Sequence, residues 1–172
     1  MAFIGVGVAE VIQQLKPLTR LMNSSKSVSM MIKNASNKTL CEPRAFPTSA
    51  KVFQIPPSRI APGSRSALGF RKTPIGVRGV EGVVIYKVEG TKENLCIFYT
   101  VPYIGINGFR LQWMDGNDVS ATETLSDKMA EIQWEIDNEI KWHDEYTDDF
   151  KASGFMIQSD TAHMLVEVSN KD

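Results

Sequence analysis

An amphipathic helix is predicted at the start of the chain. Between residues 3 and 22, large apolar side chains recur at steps of three and four, while Glu10, Lys16 and Arg20 fall mostly on the opposite side. Pro17 lacks the backbone donor that the preceding turn needs, so it should kink the helix or restart it. The ordinary role of such a helix is to pack its apolar face on a sheet. That face comprises Phe3, Ile4, Val8, Val11, Ile12, Leu15, Leu18 and Met22.

Strands are predicted along the middle of the chain, where the apolar period changes to two. The first two of these strands flank residues 35–38, which favours a hairpin at that point. The most clearly predicted hairpin joins the strands at 80–88 and 95–101 through a polar turn. In all, strands are predicted at 27–34, 38–43, 51–57, 80–88, 95–101, 109–117 and 162–170.

A second helix is predicted at about 124–141. Its apolar stripe consists of Leu125, Met129, Ile132, Ile136 and Ile140. With 172 residues, 42% of them hydrophobic, the chain can bury the core of one domain. The order of elements is one helix, many antiparallel strands, a helix and a last strand. This order predicts a mainly β protein, an antiparallel β-sandwich flanked by two α-helices.

An apolar connection is the least ordinary feature of the sequence. Tyr103, Ile104, Ile106 and Phe109 crowd between two predicted strands, where turn residues are usually polar. One interpretation is that these side chains contact something apolar outside the protein. The alternative is a two-residue hairpin at 107–108, with Ile106 and Phe109 as the last rungs of an ordinary ladder.

Charge is unevenly divided along the chain, although the net charge is only −1. Residues 1–114 contain 15 Lys and Arg against five Asp and Glu, whereas residues 115–150 contain 12 Asp and Glu against two Lys. The split is interpreted as two solvated faces of one domain, or as surfaces that steer charged partners. No nucleic-acid partner is expected.

Catalytic constellations were not found in the sequence, so an enzyme is not expected. His143 and His163 lack partners at metal-ligand spacing, and no phosphate loop, nucleotide fingerprint or nucleophile elbow occurs. No metal or other cofactor is therefore expected. Cys41 and Cys96 are expected to be two ordinary thiols, with a disulfide as the alternative.

Several segments resemble the actinoporins and their molluscan conoporin-like relatives, the sea-anemone-type pore-forming cytolysins. The similarity runs from about Lys26 to Val168. An amphipathic segment ahead of a β-sandwich is also the arrangement of that family. The most specific pieces are "EGTKENLCIFYTVPY", "IPPSRIAPG" and "ASGFMIQSDTAHMLVEVSNKD".

The resemblance implies a toxin that forms α-helical pores and lyses cells. Residues 26–172 would form a membrane-binding body, and residues 1–25 a segment that detaches, inserts and lines a cation-permeable pore. Its partners would be membrane lipids and further copies of the same chain. A helix of residues 2–23 would span about 33 Å, enough to cross a hydrocarbon core. Its charged side chains would be costly in lipid unless they faced a wet lumen, so oligomerisation is part of the implied mechanism.

The resemblance also implies a site for a lipid headgroup. The chain departs from the family at Glu81, which replaces a pocket valine, and in a shortened aromatic loop. These departures count against phosphocholine or sphingomyelin specificity. Residues that match the headgroup site are Phe46, Ser49, Thr100, Pro102 and Tyr103. The candidate membrane-contact surface adds Ile104, Ile106, Phe109 and Trp134, with the sandwich core as the alternative location of Phe109 and Trp134.

A second hypothesis for the function is a non-lytic lipid- or carbohydrate-binding module, similar to fungal fruit-body lectins, whose N-terminal helix never leaves the body. The pore-forming family implies a secreted protein that acts on target-cell membranes. The start of the chain fits a signal peptide poorly, because no basic residue precedes its apolar stretch and Glu10 lies within it. Either the protein is cytosolic or endolysosomal, or a leader precedes this chain.

Overall fold

The computed structural model describes residues 7–74, 77–136 and 139–172. Phe3 and Ile4 of the predicted apolar face lie outside the described residues. The elements, in chain order, are α1 Val8–Met22, β1 Ser27–Ala35, β2 Leu40–Pro47, β3 Lys51–Gln54, β4 Arg59–Ile60, β5 Arg65–Arg71, β6 Val80–Val88, β7 Glu93–Val101, β8 Gly108–Asp115, α2 Glu123–Glu131, β9 Trp134–Glu135, β10 His143–Tyr146, β11 Phe150–Met156 and β12 Thr161–Asn170.

Two six-stranded sheets pack face to face. The first sheet has the strand order β10-β11-β12-β1-β5-β3, and the second has the order β4-β2-β6-β7-β8-β9. The β1–β12 pair is parallel and the other pairs are antiparallel. Alternate residues of both sheets point inward and form the main core, in which the rings of Phe70 and Tyr99 stack at 4.6 Å. The predicted fold class, a β-sandwich flanked by two helices, is confirmed.

The hairpin predicted between 80–88 and 95–101 is confirmed, with Val84 opposite Ile97. The hairpin predicted around 35–38 is wrong, because β1 and β2 belong to different sheets. The side chain of Asn34 links the two sheets where the chain crosses between them. Its amide nitrogen donates to the carbonyl oxygens of Lys38 at 2.7 Å and Ile60 at 2.9 Å, which ties the end of β1 to β4 of the second sheet.

The second helix is shorter than the predicted 124–141, because α2 ends at Glu131. Beyond it, Trp134 pairs with Phe109 as part of β9, and the Ile136 amide donates to the Asn107 carbonyl oxygen. The strand partner offered by β8 therefore overrides the helical period. Within α2, Met129 packs on the outer face of the second sheet, where Cys96 is a buried free thiol whose pKa burial raises to about 12.

Helix α1 lies on the outer face of the first sheet and continues through Pro17 as a single helix. Val11, Leu15 and Met22 are fully buried there. Pro17 is exposed, so water can satisfy the carbonyl group that loses its partner in the preceding turn. No described helix is both long and apolar enough to span a membrane.

A small polar cluster fixes the end of α1 to the first sheet. Thr19 Oγ1 lies 2.7 Å from Ser29 Oγ and 3.2 Å from His163 Nε2, both within hydrogen-bonding distance. Burial, reinforced by the charge of Lys16, lowers the pKa of His163 from its usual 6.5. His163 is therefore a neutral hydrogen-bonding partner of the docked helix at neutral pH.

We expect the stability contributed by this cluster to fall as the pH drops below about 6.5. The unfolded chain takes up a proton on His163 at that pH, whereas the folded protein takes it up only at a lower pH, so protonation favours unfolding. The free energy of unfolding should fall by up to about 1.4 kcal/mol per pH unit from this group until folded His163 is protonated. Denaturant titrations from pH 7.5 to 5 should show a flatter profile for His163→Gln. Identical profiles for both proteins would contradict the assignment.

Candidate functional site

The connection between β7 and β8 exposes a group of apolar side chains. Tyr103, Ile104 and Ile106 are 49%, 85% and 52% exposed. Thr100 pairs with Gly108 and β7 ends at Val101, so the connection extends over residues 102–107 and the two-residue hairpin considered for 107–108 is wrong. Gly105, with φ of +128°, adopts a backbone conformation that favours glycine. We name the exposed group, Tyr103, Ile104 and Ile106, the apolar loop.

Asn107 anchors the base of the apolar loop. Only 2% of this residue is exposed. Its backbone amide donates to Gln158 Oε1 at 2.9 Å, and its side-chain nitrogen donates to the Ser159 carbonyl oxygen at 2.8 Å. The loop is thereby tied to the turn between β11 and β12. Its apolar side chains are held at the surface by a buried hydrogen-bonded base rather than by burial of their own.

A cavity of about 450 Å³ borders the apolar loop. It lies where β6 begins, β7 ends and the chain leaves β2. On one side Gly79 passes so close to β7 that a Cβ atom there would overlap the Val101 carbonyl oxygen, which explains the need for glycine. We name this cavity the loop pocket. It is lined by Thr48, Ser49, Val77, Arg78, Gly79, Val80, Glu81, Thr100, Pro102, Tyr103 and Ile104.

Glu81 is the acidic residue that lines the loop pocket. Thr100 stands opposite it in the β6–β7 ladder, and Thr100 Oγ1 donates to Glu81 Oε1 at 3.1 Å. Burial raises the pKa of Glu81, with a contribution in the same direction from Asp127 of α2, and the Thr100 hydrogen bond opposes that rise. The pocket therefore combines hydroxyl groups, a half-buried carboxyl group and an apolar rim.

The predicted headgroup residues are brought together only in part. Ser49, Thr100, Pro102, Tyr103 and Ile104 line the loop pocket, and Ile106 is exposed on the same loop. Phe46 lies elsewhere, packed beneath α2 against the cluster that contains Val83 and Phe98. Val77 and Arg78 were not predicted at the site, whereas Glu81 was placed there only as a departure from a pocket valine of the family. The register of the predicted β6–β7 hairpin sets Glu81 opposite Thr100 and was a signal that the two side chains meet in this pocket.

Phe109 is not part of the exposed surface, which corrects its predicted place on it, whereas Trp134 is only partly buried at the edge of the core. Phe109 is fully buried in the main core. Trp134 packs edge-on against Phe109 with ring centres 5.3 Å apart and stacks on His143 at 4.4 Å. The guanidinium group of Arg110 lies 4.3 Å from the centre of the Trp134 ring. The reason is alternation along β8, which turns the side chain of Phe109 inward to the sandwich core.

The predicted inserting residues of α1 pack on the first sheet, whereas the loop pocket borders the second sheet. In the folded protein Val11 and Leu15 are fully buried between α1 and the first sheet. Val8, Ile12 and Leu18 are partly buried. The loop pocket lies at one end of the second sheet, whereas α1 covers the first. Helix and pocket are thus two separate surfaces, which can be altered independently.

No metal site was found in the described part of the chain, where no three His, Cys, Asp or Glu side chains are grouped to hold an ion. No protein-family model matches the chain, and no curated protein matches its sequence.

Similarity to known proteins appears among solved structures. The lipid binding protein Nakanori superposes with a TM-score of 0.78 and 13% identity, covering 95% of this chain and 81% of its own. IP-1A from Alcaligenes faecalis superposes with a TM-score of 0.55 and 9% identity, and the match covers 90% of this chain and 97% of IP-1A. RahU protein, solved in complex with a Tris molecule, superposes with a TM-score of 0.51 and 7% identity. The match covers 86% of this chain and 97% of RahU. At these identities the likeness concerns the fold.

Proposed function

We propose that this protein is a non-enzymatic lipid-binding protein that docks on membranes through the apolar loop, with the loop pocket receiving a lipid headgroup. The observation that carries the proposal is the exposure of Tyr103, Ile104 and Ile106 on a loop whose base is buried and hydrogen-bonded. The structural likeness to Nakanori, described as a lipid binding protein, supports it.

The energetics of the apolar loop favour such docking. Exposed apolar side chains gain about 1.5 to 3 kcal/mol each when fully buried, and partial insertion gains a fraction of that. Three neighbouring side chains on one anchored loop therefore favour reversible attachment together. Because Asn107 holds the loop in place before binding, little conformational entropy has to be lost when it meets the membrane.

Pore formation is the finer form of this proposal. The apolar face of α1 would leave the first sheet and enter the bilayer, and several copies would place Glu10, Lys16 and Arg20 toward a wet lumen to give a cation-permeable pore. The 15 residues of α1 span only about 22 Å, so neighbouring residues would have to join the helix for it to cross the membrane.

The non-lytic module remains a second candidate, and the docking of α1 favours it. Val11, Leu15 and Met22 form the fully buried face of α1. In addition, the Arg71 guanidinium donates to the Met22 carbonyl oxygen at 2.8 Å. These contacts would all be lost on detachment. A protein that kept α1 in place would bind lipid without releasing vesicle contents.

Replacing Ile104 and Ile106 by asparagine should weaken binding to phosphatidylcholine vesicles by at least about tenfold, since two exposed apolar side chains no longer enter the interface. Binding can be measured by vesicle co-sedimentation. Thermal stability should be unchanged, because neither side chain packs in the core.

The matched control is Ile55→Asn, at a side chain that is 72% exposed. Ile55 directly follows β3 of the first sheet and is not among the residues that line the loop pocket, which borders the second sheet. The control should bind vesicles as the unaltered protein does. Equal binding by the double variant and the control would overturn the docking proposal.

A further inference from the structure

The carboxyl group of Glu81 supplies the negative charge among the described residues that line the loop pocket. It is half-buried in the loop pocket and receives a hydrogen bond from Thr100. Among the described residues, no lysine or arginine forms an ion pair with it, and the nearby charge of Asp127 has the same sign. A carboxylate removed from water is costly unless a cation or several donors compensate it. The pocket thus offers a place for a positive group from outside the chain.

Side chains of both charges line the loop pocket. Glu81 supplies negative charge inside, whereas Arg78 is exposed to solvent and lines the same pocket. Tyr103 contributes the one aromatic ring among the described lining residues, and the face of such a ring attracts cations. A ligand that fits both charges carries a cation at its tip and an anion a few bonds behind it.

From this arrangement we infer that the loop pocket binds the primary ammonium group of a phosphoethanolamine headgroup, with Glu81 as its acceptor and Arg78 near its phosphate. The inference rests on the proposed function, because the headgroup is presented by a membrane on which the apolar loop docks. It adds the class of lipid that the site selects.

Hydrogen-bond donors separate this headgroup from phosphocholine. A primary ammonium has three N–H donors, and charge-assisted hydrogen bonds to a carboxylate are among the strongest in proteins. The quaternary ammonium of choline has no N–H donor, and proteins recognise it with cages of several aromatic rings. With a carboxylate and a single ring, the loop pocket suits the ammonium that can donate.

The test compares vesicles that differ only in headgroup methylation. Phosphatidylethanolamine, its N-monomethyl and N,N-dimethyl derivatives, and phosphatidylcholine would each be added at equal mole fraction to a phosphatidylcholine background with matched acyl chains. We expect affinity to fall along the series, by about tenfold in total, as the N–H donors are removed. Soluble phosphoethanolamine should compete for binding, and soluble phosphocholine should not. The soluble arm separates headgroup recognition from effects of the lipid on membrane curvature.

Two variants make the assignment specific. Glu81→Gln retains the size and removes the charge, and should abolish the preference for phosphatidylethanolamine and the competition by phosphoethanolamine. Glu89→Gln removes the same charge at the far end of β6, and should keep both. Far-UV circular dichroism and thermal melts would show that each variant is folded.

The outcomes separate the inference from the proposed function. If the unaltered protein binds phosphatidylcholine and phosphatidylethanolamine vesicles equally, lipid binding stands and the headgroup inference is wrong. If Glu81→Gln keeps the preference, Glu81 is not the acceptor and the inference is likewise overturned. If no vesicle is bound, the proposed function itself fails.

Discussion

Replacing Phe109 by alanine should lower the free energy of unfolding by about 3 to 5 kcal/mol, the range for removing a large aromatic side chain from a packed core. Phe109 is fully buried, and its ring contacts those of Trp134 and His143 at centre-to-centre distances of 5.3 and 5.6 Å. The cavity left by the substitution would open at the place where β9 and β10 meet β8. Urea titration followed by circular dichroism measures the change.

The control for this substitution is Ile104→Ala, four residues after Thr100 in the apolar loop. Ile104 is 85% exposed, so its removal should leave the free energy of unfolding nearly unchanged while it weakens binding to vesicles. The two variants should therefore show opposite patterns. If Phe109→Ala had normal stability but impaired vesicle binding, its assignment to the core would be wrong and Phe109 would belong to the membrane-contact surface.

Replacing Ile12 by aspartate should abolish release of vesicle contents while membrane association persists, if α1 inserts as proposed. Ile12 belongs to the apolar face of α1 but is only partly buried in the docked helix, and it lies outside the cluster that holds α1 to the first sheet. A charged side chain at the centre of a membrane helix costs about 2.5 to 3.5 kcal/mol per copy, and every subunit of a pore would bear that cost. Calcein release and co-sedimentation measure the two steps separately.

The choice of position matters for this experiment. Val11 is fully buried against the first sheet, so aspartate there would damage the folded protein as well as insertion. Gln13→Asp provides the matched control, since it adds the same charge on the exposed polar face of α1 and should retain release. Release by Ile12→Asp equal to that of the control would contradict insertion of α1. Absence of release from the unaltered protein, with vesicle binding retained, would favour the non-lytic module.

The local pattern of the sequence determined most of the secondary structure. The apolar runs at 80–88 and 95–101 are nearly continuous because both strands bury apolar side chains on each face, and these runs became β6 and β7. The helical period of the N-terminal segment likewise became α1, because its apolar face has a sheet to cover. Period and side-chain polarity are local properties, so a single sequence contains them in full.

Tertiary partners decided where that local pattern misled. The stripe that includes Ile132 and Ile140 suggested a longer second helix, yet β8 offered Trp134 a strand partner and α2 ended at Glu131. The residues after Asn34 suggested a hairpin, yet β2 joins the other sheet, and the Asn34 amide donates to a carbonyl group of β4 in that sheet. Neither partner adjoins these residues in the sequence, so neither choice was visible from the chain alone.

Some features of the candidate site were predictable from the sequence, and others depend on the tertiary structure. The sequence alone identified an apolar connection after Pro102 and matched Ser49, Thr100 and Tyr103 to a headgroup site. Only the tertiary structure separated exposed Ile104 from buried Phe109, because exposure depends on which face of β8 meets the opposite sheet. The resemblance placed Glu81 at a headgroup pocket, but only the structure shows the walls of that pocket, which come from the ends of β2, β6 and β7. The sequence determines the chemical character of each side chain. Its burial and its neighbours in space are determined only when strands distant in the sequence pack together.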